Sequence, residues 1–312
     1  MGSEQAVTAG AALSRSWYET MDDGAQLRVS LFAAVNAERQ GTILLLHGFG
    51  EFTEKYLPTI MRLGAMGFTV LTLDWRSQGL SSRFPESQRR GYVRDFDRLL
   101  DDVDALLASP IAAELPAPYR LLGHSMGGML ALRLLEPGRP QPLPWSAAIL
   151  SAPMLGIYRL PRWFVRSVAQ LQIWRGKAQD FAWGSGPLDP DHNENRITTD
   201  ADRFQVIMQL LRDNPQLATH GATWAWLNAA AKLMRGSVRK RRLRRLDVPI
   251  LLLSPGQDVI VDADLHHRFA ARYRGCELVK LPDSMHEPLQ ETAAIQDEVY
   301  AVIARFVSEQ PR

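Results

Sequence analysis

The stretch GHSMG at Gly123–Gly127 places a serine between glycines, directly after the apolar run Tyr119–Leu122 and ahead of the helical pattern Met126–Leu135. A serine in a strand–turn–helix elbow of this kind is held with strained backbone and an exposed hydroxyl. A Cβ at Gly123 or Gly127 is expected to collide with neighbouring backbone. A hydroxyl becomes a nucleophile only when a base takes its proton and an acid orients the base. After such an elbow the acid comes next in the chain and the histidine last. Asp258 in PILLLSPGQDVIV follows an apolar run and a glycine, and it is the expected acid. Asp262 and Asp264 compete, but they are read as the start of the next helix, where an aspartate caps free N–H groups. His286 in ELVKLPDSMHEPLQE follows the last apolar run and is the expected base. His266 and His267 fall within a helical pattern, where adjacent side chains diverge, so neither a metal pair nor a base is expected there. The oxyanion that acyl transfer generates needs N–H donors. Met126, after the serine and at a helix N-terminus, supplies one. Phe49, in the loop of LLLHGFGE at Leu44–Glu51, supplies the other, with His47 read as a structural residue of that loop.

Those residues need a frame. Leu27–Val35 roughly alternates after the turn Asp22–Gly24 and reads as an antiparallel partner of the segment near Trp17–Thr20. Six short apolar runs follow, at Thr42–Leu46, Phe68–Leu73, Tyr119–Leu122, Ala147–Leu150, Pro249–Leu253 and Cys276–Leu281. Runs of this length and composition are strands buried on both faces. Helical patterns lie between them. Phe96–Leu107 puts Phe96, Leu99, Leu100, Val103, Leu106 and Leu107 on one face and its aspartates on the other. The alternation predicts an α/β fold with a mostly parallel central sheet flanked by helices. From about Leu155 to Gly236 no strand is expected, and five of the eight tryptophans fall there. Helices are expected at Pro161–Ile173, Asp200–Arg212 and Thr223–Met234. This segment, 155–236, reads as an inserted helical cap, and 15–154 with 237–310 as the core. The competing reading is ordinary helices covering the sheet.

The 312 residues are 46% hydrophobic, enough to bury a full core. A formal charge of +2 does not suggest a nucleic-acid partner. Cys276 is the one cysteine, so no intramolecular disulfide is expected, which suits a reducing compartment. The N-terminus lacks a basic start followed by an apolar run, so no signal peptide is expected. No apolar run approaches the roughly 18 residues of a membrane-spanning helix. The expectation is a soluble, cytoplasmic chain that could rest on the inner face of the membrane. Arg235–Asp247 carries seven basic residues, compatible with contact to anionic headgroups. Its competing reading is a solvated helix between cap and core. Oligomeric state is not legible.

With these residues in place the chain resembles the α/β-hydrolase superfamily, and within it the monoacylglycerol lipase and bacterial lysophospholipase L2 group of serine hydrolases. The resemblance rests on HGFGE with KY shortly after, DWRSQGLSSR at Asp74–Arg83, GHSMGG, GQDVIV and SMHEPLQE. It implies the α/β-hydrolase fold and ester hydrolysis of a single long acyl chain through a Ser-Asp-His triad, with no cofactor and no metal. It also implies an oxyanion hole at the positions matched to Phe49 and Met126. Two positions depart from the group: Phe52 stands where a histidine is usual, and Ser77 where a glycine is usual. Asp74 and Arg76 are expected to hold the second motif's loop by hydrogen bonds. The aromatic cap suggests a lipid ester as partner, because each buried CH₂ gains roughly 0.8 kcal/mol. Alternatives are an aminopeptidase of the proline-iminopeptidase type, with Asp180, Asp189, Asp191 and Glu194 available for a substrate amine, a short-chain carboxylesterase, and a non-catalytic hydrolase-fold receptor.

Overall fold

The structure, a computed structural model, describes residues 12–36, 38–84, 88–139, 143–191 and 194–310. The start of the N-terminal stretch, residues 1–11, lies outside the described residues. Eight strands form one sheet: β1 Ala12–Thr20, β2 Gln26–Ala33, β3 Gly41–Leu46, β4 Phe68–Leu73, β5 Tyr119–His124, β6 Trp145–Ser151, β7 Ile250–Pro255 and β8 Cys276–Leu281, in the spatial order β1-β2-β4-β3-β5-β6-β7-β8. The β1–β2 hairpin and the β2–β4 pair are antiparallel, and every later pair is parallel. The described helices are α1 Leu57–Ala65, α2 Asp97–Ala108, α3 Met126–Leu134, α4 Arg162–Trp174, α5 Ala201–Asp213, α6 Trp224–Leu233, α7 Lys240–Leu243, α8 Ala263–Ala270 and α9 Ala293–Ser308.

The continuous apolar runs follow from this architecture. In β3, Leu44 and Leu46 face the core formed with α2, α3 and α8, while Ile43 and Leu45 face the core formed with α1 and α9. Both faces exclude water, so no polar alternation is needed. Parallel strands also share one carboxyl edge. The loops leaving β3, β5, β7 and β8 therefore meet there, which is where an open α/β sheet gathers its ligand-contacting residues.

Between β6 and β7 the chain forms α4, α5 and α6, at the positions expected from the sequence. Phe52 is buried against Phe204, Ile207, Met208 and Leu211, so the ring found in place of a histidine packs into the floor beneath α5. Ser77, found in place of a glycine, adopts φ 68°, the left-handed region that glycine enters without cost. Its Oγ accepts a 2.6 Å hydrogen bond from the Phe84 N–H.

Two expectations are corrected. Asp102 does not face solvent with Asp97 and Asp101 of α2: it is buried and receives a bidentate pair from Arg76, Nε at 3.0 Å and Nη2 at 2.7 Å. A buried carboxylate needs such a partner. The basic stretch is not a helix along its length, since only Lys240–Leu243 is helical. Arg235, Arg239, Arg241, Arg242 and Arg245 line a groove of about 430 Å³ with Arg133, Glu136 and Lys232.

Candidate active site

Ser125 occupies the turn between β5 and α3 with φ 50° and ψ −114°, a strained conformation for a side chain with a Cβ. Main-chain bonds hold the turn. Ser125 N–H donates to the Ser151 carbonyl at 2.9 Å, and the Ser125 carbonyl accepts from Met129 N–H at 3.1 Å and Met154 N–H at 2.9 Å. The glycines are needed for close approach. A Cβ on Gly127 would lie 2.0 Å from the Leu46 carbonyl oxygen, and one on Gly123 would lie 2.6 Å from that of Gly127.

The three residues singled out from the sequence meet above the sheet edge. Ser125 Oγ is 3.0 Å from His286 Nε2, and His286 Nδ1 is 2.7 Å from Asp258 Oδ2. All three side chains are buried. Asp258 Oδ1 accepts from the N–H groups of Ile260 at 2.7 Å and Val261 at 2.9 Å. Burial favours the protonated acid, but the hydrogen bond and charge of His286, with the two amides, hold the carboxyl below its usual value. Asp258 is therefore an anion placed to orient the imidazole and to support its positive form.

The loop after β3 places Phe49 beside this group, and the Phe49 ring packs on Trp226 with centroids 4.6 Å apart. Among the described hydrogen bonds the N–H groups of Phe49 and Met126 have no protein acceptor, so both are free to meet an oxyanion. Sequence reading did not anticipate Gln78, which holds the loop. Its Oε1 accepts from Gly50 N–H at 2.6 Å, and its Nε2 approaches Met126 Sδ at 4.0 Å. Nor did it anticipate that Glu51, Lys55, His124 and Glu287 are buried together behind the triad. A partial signal was present: Glu51 and Lys55 stand four apart in a motif that opens with HGFG, and Glu287 follows the histidine directly.

The neighbouring candidates take other places. His47 is buried, with Nδ1 2.9 Å from the Gly48 carbonyl, and burial lowers its pKa, so it is a neutral structural ring. Asp74 accepts from Thr53 N–H and Oγ1, both at 2.9 Å, from Leu80 N–H at 2.8 Å and from Arg28, which ties the two motif loops together. Asp262 caps α8 by accepting from Asp264 N–H at 3.0 Å. His266 lies between Ser254 Oγ at 3.0 Å and the Pro153 carbonyl at 2.8 Å, and its ring is taken up by those two contacts rather than by Ser125. Among the described residues no group of three or more histidine, cysteine or acidic side chains is arranged to hold a metal ion.

Ser125 and His286 open into a cavity of about 620 Å³. Its roof comes from the segment between β6 and β7, including Leu188, Ile207, Leu211 and Trp226, while Met154 and Val261 complete an apolar wall. Its acidic lining residues are Glu51 and Glu287, both outside that segment. Asp180, Asp189, Asp191 and Glu194 are exposed and do not line it. Asp191 pairs with Arg212 and Glu194 with Arg196.

The sheet order, the elbow and the serine–histidine–aspartate contact together describe an α/β-hydrolase site. The family described as serine aminopeptidase, S33 (Hydrolase_4) matches residues 37–293. The chain belongs to this family. It is 28% identical over 262 residues to lysophospholipase L2 of Escherichia coli K12, covering 82% of this chain and 72% of that protein. It is 29% identical over 227 residues to the monoacylglycerol lipase of Mycolicibacterium smegmatis, covering 72% and 73%. Among solved structures it resembles a soluble variant of the monoglyceride lipase of Saccharomyces cerevisiae in complex with a substrate analog, with a TM-score of 0.74, 20% identity and 97% of each chain covered. At that identity the likeness establishes the fold. This member of the family has the α/β-hydrolase fold, and it groups with relatives named as lipases and lysophospholipases.

Proposed function

We propose that this hydrolase cleaves esters of a single long acyl chain through an acyl-enzyme on Ser125. Ser125 Oγ attacks the ester carbonyl while His286 Nε2 takes its proton. Asp258 orients the ring and stabilises the imidazolium. The N–H groups of Phe49 and Met126 hold the oxyanion. The tetrahedral adduct collapses, the leaving alcohol takes the proton, and water then releases the fatty acid by the same route in reverse. One observation carries this reading: the contacts of 3.0 and 2.7 Å that join Ser125, His286 and Asp258 open into a mostly apolar cavity. Residues 155–236 act in it as the cap. Ser125→Ala tested on p-nitrophenyl esters and on a chain-length series of monoacylglycerols is the direct assay. Activity should vanish in the variant, and in the parent should rise with chain length. An optimum at acetate would point instead to a short-chain carboxylesterase.

The aminopeptidase reading has less support, because the cap carboxylates offered for a substrate amine lie outside the cavity and the two that line it already face Lys55. A proline anilide tested beside a monoacylglycerol separates the two. Between lipid esters, one feature favours an anionic headgroup. His220 lines the cavity, and Arg83, Arg89 and Arg90 stand behind it within reach of its charge; they donate to main-chain carbonyls and form no ion pair among the described residues. Their positive charge favours a lysophospholipid phosphate over neutral glycerol. If so, Arg89→Gln and Arg90→Gln lower kcat/KM for the lysophospholipid and leave that for the monoacylglycerol unchanged.

Membrane contact belongs to the same reading. No described helix is long and apolar enough to cross a membrane. However, α4 turns Val165 and Ala169 inward and leaves Trp163 at 68% and Trp174 at 78% exposure, with Phe164 and Leu171 between them. Arg162, at the start of that helix, shares a positive field with Arg166, Arg235 and Arg239, which connects it to the basic groove. Aromatic side chains beside basic ones suit the headgroup region of an anionic bilayer.

A further inference from the structure

Behind the triad lies a buried group of ionisable side chains that the acyl-transfer scheme leaves unused. Lys55 Nζ is 2.7 Å from Glu51 Oε1 and 2.6 Å from Glu287 Oε1. The other oxygen of Glu51 accepts from Tyr56 Oη at 2.7 Å, from His124 Nδ1 at 3.1 Å and from the N–H of Gly48. His124 Nε2 is 3.1 Å from the main-chain carbonyl oxygen of His286. His124 has only 2% of its surface exposed, so water does not complete these contacts.

Both ring nitrogens of His124 thus face acceptors, a carboxylate on one side and a carbonyl on the other. Neutral imidazole has one N–H and would leave one of those contacts unmade in a buried place, whereas imidazolium satisfies both. Burial opposes the charge, but Glu51, by its charge and its hydrogen bond, raises the pKa of the ring above the usual value. The charged and titratable groups facing the ring are Glu51, Lys55 and Tyr56 from the segment after β3, and His286 and Glu287 from the segment after β8.

The contacts reach three of the four segments of the proposed mechanism, all but the loop of Asp258. Gly48 belongs to the oxyanion loop, His124 precedes the nucleophile, and the carbonyl belongs to the base. None of the four side chains bonds to Ser125 Oγ, His286 Nε2 or Asp258, so their effect passes through the main chain. We propose that His124 is a positioning residue: a buried imidazolium, clamped by Glu51, that fixes the main chain of His286 relative to Ser125 and ties that register to the oxyanion loop. The proposal rests on the acyl-enzyme reading for its kinetic consequence, but not for the protonation state.

Two measurements test it. The first is ¹⁵N NMR of the histidine rings at pH 8, where an ordinary histidine, with a pKa near 6.5, is neutral. Both nitrogens of His124 should carry hydrogen in the parent, and one should lose it in Glu51→Gln. A neutral His124 ring in the folded parent overturns the proposal. The second compares His124→Phe, which keeps a ring but neither donor, with His124→Gln, whose amide reaches the carbonyl without a charge. His124→Phe should lose roughly 10–100-fold in kcat with KM unchanged, as expected when a reacting group is slightly misplaced. His124→Gln should recover most of that loss. Equal kcat in parent and His124→Phe, or equal loss in both variants, overturns the proposal. Should His124→Phe fail to fold, the NMR result decides. A parent that shows the doubly protonated ring but is not acylated at Ser125 would refute the acyl-enzyme reading alone.

Discussion

At the scale of single residues, environment assigns the roles more sharply than residue type does. The seven histidines include three near the site with different fates. His286 faces a serine and an anion and is placed to move a proton. His124 faces two acceptors. His266 faces one hydroxyl and one carbonyl in a dry site that pushes its pKa down to about 4. For His266 the folded value lies below the unfolded value near 6.5, so the unfolded chain binds the extra proton between those values and stability falls as pH drops from about 6.5 to about 4. The shift corresponds to about 3 kcal/mol. Measured by urea unfolding, the stability gap between parent and His266→Gln should narrow by up to that amount between pH 7 and pH 4, and a constant gap would contradict the assignment. Asp258 makes a kinetic prediction. Asp258→Asn keeps the shape but loses the anion that fixes the ring, and kcat should fall by roughly 10⁴-fold with the fold intact.

At the scale of elements, the site depends on α3 packing close to the sheet. The Leu46 carbonyl lies where a Gly127 side chain would begin, so Gly127→Ala must push α3 off β3 or distort the elbow. Overpacking of this kind costs about 1–3 kcal/mol and can cost more. Thermal unfolding should show a lowered Tm together with lost activity, and an active variant of parental Tm would argue against so tight a fit. This scale also shows what the sequence reveals and what it hides. The short unbroken apolar run of β3 and the period-3.6 pattern of α2 depend on neighbours a few residues away, so strands, helices and the elbow could be read directly. Asp102 could not, because Arg76, the partner that makes its burial tolerable, is supplied by another element. The same holds for Lys55 and Glu287, separated by 232 positions. Asp258 and His286 were legible because each follows a strand, at a place fixed by topology. Gln78 and His124 make contacts that spacing does not encode, whereas Glu51 stands four residues from its partner Lys55.

At the scale of the whole molecule, the proposed reading joins the Ser125 site and its cavity with the exposed aromatic side chains of α4. Exposed aromatic side chains such as Trp163 and Trp174 mark an interaction surface, and beside a basic groove that surface suits an anionic bilayer. Sedimentation with vesicles containing anionic lipid should bind the parent at low salt and release much of it at high salt, since surface charge is screened. Trp163→Ala combined with Trp174→Ala should weaken binding while leaving hydrolysis of a water-soluble p-nitrophenyl ester unchanged. Binding that ignores both the salt and the two tryptophans would remove α4 and the basic groove from the account.

The central claim is that an alcohol made reactive by His286 and Asp258 carries the acyl group. Intact-protein mass spectrometry after treatment with a long-chain fluorophosphonate tests it most directly. The account predicts one adduct per chain, mapped to the peptide containing Ser125, slowed by excess lysophospholipid or monoacylglycerol, and absent in Ser125→Ala. A folded parent that remains unlabelled, or an adduct mapped to any other residue, would contradict it.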